Sequence, residues 1–256
     1  MNIVFDSILN KDGRIYFYER VSNSICEGLP DFSDIHIVRR LFEDVETTNF
    51  GAMGIFEYQD KIFIGNQFGS DVLIFDTKEN IFHREYPMEN ELKKNLFYHT
   101  VCVQNKIFQI PTDLSEKYYV FDMTDKTFRL CDSIINESLI ARFSYLKEND
   151  LYLTISESSR VLRWNLGTNK TEWIEFGADI RINNVCIYND KMYGISSVDG
   201  SLYIKDGEQL STVKICEENN PYIFSRVFAY KDNIYMLPRH SNYLYTYDVN
   251  SCGISL

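Results

Sequence analysis

The chain has 256 residues, 45% of them hydrophobic and 25% charged, with a formal net charge of −11. That composition supports a large packed core and excludes a disordered chain. An acidic chain without a basic run repels phosphate backbones and anionic lipid, so neither nucleic acid nor a membrane is expected as a partner.

The N-terminal segment reads as a hairpin: Ile3–Leu9, an Asp12-Gly13 turn, then Arg14–Tyr18. A weak third strand near Ser24–Cys26 follows, Leu29-Pro30 interrupts, and Ile35–Leu41 supplies a fourth. From about residue 50 onward a phrase recurs in which an Asn/Asp-rich turn precedes an aliphatic and then an aromatic residue: Ile62-Phe63, Ile107-Phe108, Leu151-Tyr152, Met192-Tyr193 and Ile234-Tyr235. The aromatic steps are 45, 44, 41 and 42 residues. A second phrase ends at Asp76, Asp122, Asn165, Asp206 and Asp248, always 13 or 14 residues after the aromatic. Two anchors holding register across five copies define a repeat.

Each copy resolves into four short strands. In the second they are Tyr98–Val103, Ile107–Ile110, Tyr118–Asp122 and Thr127–Leu130. Asp or Asn after the third strand accepts hydrogen bonds from its own turn, so the acidic row is turn chemistry rather than paired catalytic carboxylates. A four-stranded unit of this period cannot bury both its faces alone, and radial stacking solves that problem. The sequence therefore predicts one all-β domain over residues 1–256, a six-bladed β-propeller of four-stranded antiparallel blades. Five repeats are firm and the N-terminal one, with Ile15-Tyr16 at the anchor, is degenerate. The last blade has only Gly253–Leu256 for its outer strand.

The second half of the blade, Phe121-Asp122-Met123-Thr124-Asp125-Lys126-Thr127-Phe128 and Trp164-Asn165 through Trp173, resembles the kelch-type propeller repeat over about residues 50–256. Gly65 and Gly194 stand singly where kelch blades carry a Gly-Gly pair. The resemblance implies protein or glycan binding in many members and catalysis in a few.

By analogy with propellers, ligands sit at the axial face bearing the loops into each first strand and between second and third strands. At the start of successive inner strands stand Met53-Gly54, Tyr98-His99, Arg142-Phe143, Asn183-Asn184 and Ser225-Arg226. They vary in polarity where neighbouring positions, such as Val101-Cys102 and Val185-Cys186, stay apolar. Positions that solve the same packing problem repeat from blade to blade; a ligand asks for different groups from different directions. The candidate ligand-binding set is His99, Arg142, Asn183, Arg226, Arg239 and His240, with Glu157 and Asp113 at the rim. Its arginines suit a carboxylate or phosphate. An inner strand facing a wet channel would also carry polar residues, so that reading stands beside the site.

Six scattered cysteines without a CxxC pair predict reduced thiols, mostly buried, and no zinc site. No metal, cofactor or catalytic residue is expected, and the absence of a signal-peptide pattern predicts a cytoplasmic location. The functional expectation is a non-catalytic binding module for a protein, peptide, glycan or small anionic ligand. The alternative is an epimerase, lyase or lactonase acting on a sugar acid, with His99 or Glu157 as acid/base. Loop aromatics such as Phe68 and Tyr222 are candidate contacts.

Overall fold

The computed structural model describes residues 5–19, 21–41, 51–87, 97–196, 199–215, 224–238 and 244–255. All the regular elements among them are β-strands, arranged as six antiparallel four-stranded sheets, each made of four strands consecutive in the chain. This is the six-bladed β-propeller fold expected from the repeat. None of the described residues forms a helix long and apolar enough to cross a membrane.

Contact density divides the chain into two compact units, Met1–Ser138 and Leu139–Leu256. The first unit holds three blades: β1 (Phe5–Lys11), β2 (Arg14–Glu19), β3 (Ser24–Gly28) and β4 (His36–Arg40); β5 (Ala52–Tyr58), β6 (Lys61–Asn66), β7 (Val72–Asp76) and β8 (Ile81–Glu85); β9 (His99–Val103), β10 (Lys106–Ile110), β11 (Tyr118–Asp122) and β12 (Thr127–Cys131). The second unit holds β13 (Ala141–Lys147), β14 (Asp150–Ile155), β15 (Arg160–Asn165) and β16 (Lys170–Glu175); β17 (Ile182–Tyr188), β18 (Lys191–Ser196), β19 (Ser201–Asp206) and β20 (Gln209–Lys214); β21 (Phe224–Tyr230), β22 (Asn233–Pro238), β23 (Tyr245–Asp248) and β24 (Ile254–Ser255). The degenerate first repeat is thus a complete blade, although Ile3 of its expected first strand lies outside the described residues. The last blade does find its outer strand in the final residues, reduced to Ile254–Ser255.

The aliphatic–aromatic anchor is explained by where its strand lies. In β6, Ile62 and Ile64 pack with Tyr16, Ile25 and Leu41 of the first blade. Phe63, between them, packs with Ile107 and Phe121 of the third. In β18, Met192 joins Tyr152 and Val161 of the preceding blade, while Tyr193 and Ile195 join Phe224 and Ile234 of the following one. Successive side chains of a strand point to opposite faces, so a strand covered on both sides is apolar at consecutive positions. The outer strands β16 and β20 are mostly exposed and read as polar.

Each first hairpin turns through two residues: Asp12-Gly13, Gln59-Asp60, Gln104-Asn105, Glu148-Asn149, Asn189-Asp190 and Lys231-Asp232. The first residue of every one has positive φ, between 47° and 57°. Two-residue turns with positive φ match the twist of the strands they join.

The Asp/Asn row behaves as turn chemistry. Asp76 Oδ1 accepts from the amides of Lys78 and Glu79 at 3.1 and 3.2 Å. Asp122 Oδ1 accepts from the Thr124 amide at 2.9 Å and from Asn105 Nδ2 at 2.8 Å. Asn165 Oδ1 serves Thr168, and Asp248 Oδ1 serves Asn250 and Ser251. The amide and hydroxyl of Ser251 hold the Asp248 carboxyl below the ordinary carboxylate range. Asp206 is the exception: it pairs with Lys191 at 3.0 Å, and Gly207 with φ 56° makes the turn.

The five described cysteines are free. Cys26 and Cys186 are buried, Cys102 and Cys131 are half-buried, Cys252 is exposed, and Cys216 lies outside the described residues. Burial pushes the Cys26 and Cys102 thiols up to about 11 and that of Cys186 up to about 12.

Because Asn165 fills the same role as the aspartates, the turn needs an acceptor oxygen rather than a charge. Asp122→Asn is therefore expected to leave the urea unfolding midpoint nearly unchanged, whereas Asp122→Ala, which strands a turn amide, costs about 1–2 kcal/mol. Equal losses for the two variants would show that charge, not hydrogen bonding, holds the turn.

Candidate functional site

The start of the inner strand is irregular in most blades. Ala52 pairs with Asn66 and Gly54 with Gly65, so Met53 is an extra residue without a partner across the ladder. The same register step falls at Arg142 in β13, Asn183 in β17 and Ser225 in β21. A bulge lies in β1 between Phe5 and Ile8. The described part of β9 is regular, with His99 opposite Ile110. A bulge releases one residue from the ladder and re-aims its side chain, and bulges concentrate beside ligand sites. Of the candidates singled out by variable polarity, Arg142 and Asn183 are thus bulged, whereas His99 and Arg226 pair in register with Ile110 and Leu237.

In the second unit, Arg142 is half-buried at its bulge. Asn183 is 4% exposed and ties strands together: its Nδ2 donates to the Phe224 carbonyl at 3.4 Å, and its carbonyl accepts from Thr154 Oγ1 at 3.0 Å. Its Oδ1, and Nδ2 of buried Asn184, have no hydrogen-bond partner among the described groups. Arg226 is exposed, with its guanidinium 5.3 Å from the centre of the Phe143 ring. That pair places a cation and an aromatic face together at the loop end of this unit. Glu157 is exposed on the β14–β15 turn with φ 54°.

In the first unit, the β6–β7 loop is stitched from inside. Asn66 Oδ1 accepts from the amides of Gly51 and Phe68, each at 3.0 Å. Its Nδ2 donates to Asp71 Oδ1 at 2.8 Å. Arg84 Nε, from β8, donates to Asp71 Oδ2 at 2.6 Å, the two side chains being 12% and 6% exposed. Gln109 Nε2, from β10, donates to the Asp71 carbonyl at 3.1 Å. The Gln67 amide donates to the Gly51 carbonyl, and its own carbonyl accepts from the Phe97 amide at 2.9 Å. Three separate connections are therefore locked together, and from them Phe68 projects 47% exposed, with Tyr98 also exposed. A Cβ at Gly51 would stand 2.7 Å from the Phe68 ring, so glycine here lets the ring lie close over the chain.

His99, only 2% exposed, lies buried at the start of β9. Asp113 braces the β10–β11 loop, accepting from the Ser115 amide at 3.0 Å and from Ser138 Oγ at 2.5 Å. Arg239, His240 and Tyr222 lie outside the described residues. The network residues Asp71, Arg84 and Gln109 come from the β6–β7 loop, β8 and β10 and carry no sequence spacing that would single them out. Asn66 and Phe68 lie in a loop that the repeat alignment does mark. Among the described residues, no three His, Cys, Asp or Glu side chains are grouped so as to hold a metal ion.

No family model matches the sequence, and no curated protein matches it. Solved structures do match in fold. Virginiamycin B lyase from Staphylococcus aureus superimposes with a TM-score of 0.71 at 12% identity, over 98% of this chain and 83% of that one. A catalytically inactive form of the Staphylococcus aureus lyase with quinupristin gives a TM-score of 0.72 at 13% identity, over 98% and 83%. YCF48 bound to D1 peptide gives a TM-score of 0.66 at 6% identity, over 92% and 76%. At such identities the likeness establishes the propeller fold and nothing finer.

The stitched loop makes an energetic prediction. Arg84→Ala leaves the Asp71 carboxylate buried without its guanidinium and is expected to cost about 3–5 kcal/mol in urea unfolding. Arg163→Ala, removing a cation that is 42% exposed beside Asp150, should cost about 1 kcal/mol or less. If the two variants unfold alike, the Asp71 network does not hold the loop.

Proposed function

We propose that the chain is a non-catalytic binding module that presents the loop end of its blades to a protein, peptide or glycan in the cytoplasm. The observation that carries this reading is Phe68, an exposed ring on a loop whose backbone is fixed by Asn66, Asp71, Arg84 and Gln109. Interface hot spots favour aromatic anchors, and a contact that is already rigid loses little entropy when it is covered. Burying an Asp–Arg pair solely for stability is a poor exchange for apolar packing, which supports a role for the network in shaping the loop. The kelch-like cast of the repeat and a peptide-bound neighbour of the same fold accord with this reading.

The second reading is a small-molecule enzyme acting on a sugar acid. What favours it is the second unit's Arg226 beside Phe143, with Arg142 at a bulge, because a guanidinium next to an aromatic face suits a carboxylate on a ring. The presence of a lyase among the neighbours in fold is compatible with it.

Selection from a displayed peptide library and a glycan array separates the readings. Ligands selected on the wild-type protein should lose at least tenfold in affinity against Phe68→Ala/Tyr98→Ala and bind normally to Ile81→Ser, which alters an exposed outer strand. Ligands indifferent to the Phe68 and Tyr98 substitutions would overturn the binding-module reading. Sugar-acid turnover abolished by Arg226→Ala would replace it with the enzymatic one.

A further inference from the structure

A second surface lies at the opposite end of the blades, within the second unit. Between its first two blades runs an open groove of about 750 Å³, bounded by the β13–β14, β17–β18 and β19–β20 turns and the outer part of β14–β16. At its floor the half-buried Ile174 and Ile187 offer apolar surface over Tyr152 and Met192, which are buried in the core cluster shared by these blades. Its walls carry six carboxylates against three cationic side chains.

The cations are largely spoken for. Arg163 Nη2 reaches Asp150 at 2.6 Å and its Nη1 reaches Glu172 at 3.3 Å. Lys147 Nζ lies 3.4 Å from Asp190 on the neighbouring blade's turn. Burial would raise the Asp150 carboxyl, but hydrogen bonds from Arg163 and Asn165 hold it below the ordinary range and keep it charged. Glu148 and Glu208, on the turns at the rim, are exposed and form no ion pair with a described residue. The groove thus combines a strip of apolar surface at Ile174 and Ile187 with surplus negative charge at its lip.

We propose that this groove docks an extended, lysine- or arginine-bearing segment of a partner protein. Such side chains are long apolar stems ending in a cation; the stem would lie along Ile174 and Ile187 while the head reaches Glu148 and Glu208. A neutral apolar segment would leave the rim carboxylates facing it without compensation, and an acidic one would be repelled. The groove's volume of about 750 Å³ exceeds what one side chain fills, which favours a chain segment over a lone cation.

The probe is an N-acetylated, C-amidated peptide alternating arginine and leucine, titrated calorimetrically at low salt into the whole protein. Glu148→Gln/Glu208→Gln should weaken binding at least about fivefold, a loss of about 1 kcal/mol, and added salt should weaken it further. The charge-matched control Glu79→Gln/Glu137→Gln, altering exposed acids of the other unit, should retain full affinity, as should Phe68→Ala. Equal weakening by both double variants would reduce the effect to general attraction by an acidic protein and overturn the proposal. So would unchanged binding by the groove variant, or no binding by the wild type. Loss on Phe68→Ala alone would assign the peptide to the loop end and remove the groove from the account.

Discussion

In the first five blades the second strand has no face to give to water, and in the last only Leu237 of the described β22 side chains is exposed; the other features of the fold follow from that constraint. Ile62 and Ile64 are covered by one neighbouring blade and Phe63 by the other. Met192 and Tyr193 divide in the same way in the second unit. At about 25 cal/mol per Å² of apolar area, hiding both faces of such strands is the dominant favourable contribution. The outer strands, with one edge and most side chains in water, contribute less and tolerate polar residues. This gradient makes the sequence look like a set of short apolar bursts separated by charged stretches.

Packing of this kind is intolerant along the middle of the blade and permissive at its ends. At one end the chain must reverse within two residues between the first and second strands, and all six turns do so with positive φ at their first residue. At the other end the connections vary in length and composition. There the inner strands bulge at Met53, Arg142, Asn183 and Ser225, and there the Asn66–Asp71 network fixes an exposed aromatic. Divergence is therefore concentrated where stability does not forbid it. The groove at the turn end has a different origin: adjacent blades share a core near their inner strands, and between their outer strands a wedge remains for charged side chains to line.

What the sequence disclosed, and what it hid, follows the same division. The anchors were legible because burial on both faces is a local property that recurs with every blade, and the turn aspartates because each bonds its own next residues. The first blade looked degenerate because its third strand, Ser24–Gly28, is short and followed by Leu29-Pro30, yet it pairs with β2 along its whole length and with β4 around a bulge at Val38. The bulges left a trace only as a position of variable polarity, since an unpaired residue has no repeating partner to satisfy. The Asp71–Arg84–Gln109 network left none: its members meet only after three strands have folded. Asn183, marked by its polarity, proves to be in part a tie to Phe224, a role that composition cannot distinguish from ligand binding. Likewise, His99 and Asp113 are built into the packing and the loop bracing rather than standing open.

Residue-resolved hydrogen exchange examines the governing constraint most directly. Backbone amides in β6, β14 and β18 should exchange last, near the rate set by global unfolding, while those of β16 and β20 exchange far sooner through local opening. Outer-strand amides as protected as those of the second strands, or second-strand amides that exchange early, would mean that the blades are not held by mutual burial of their second strands.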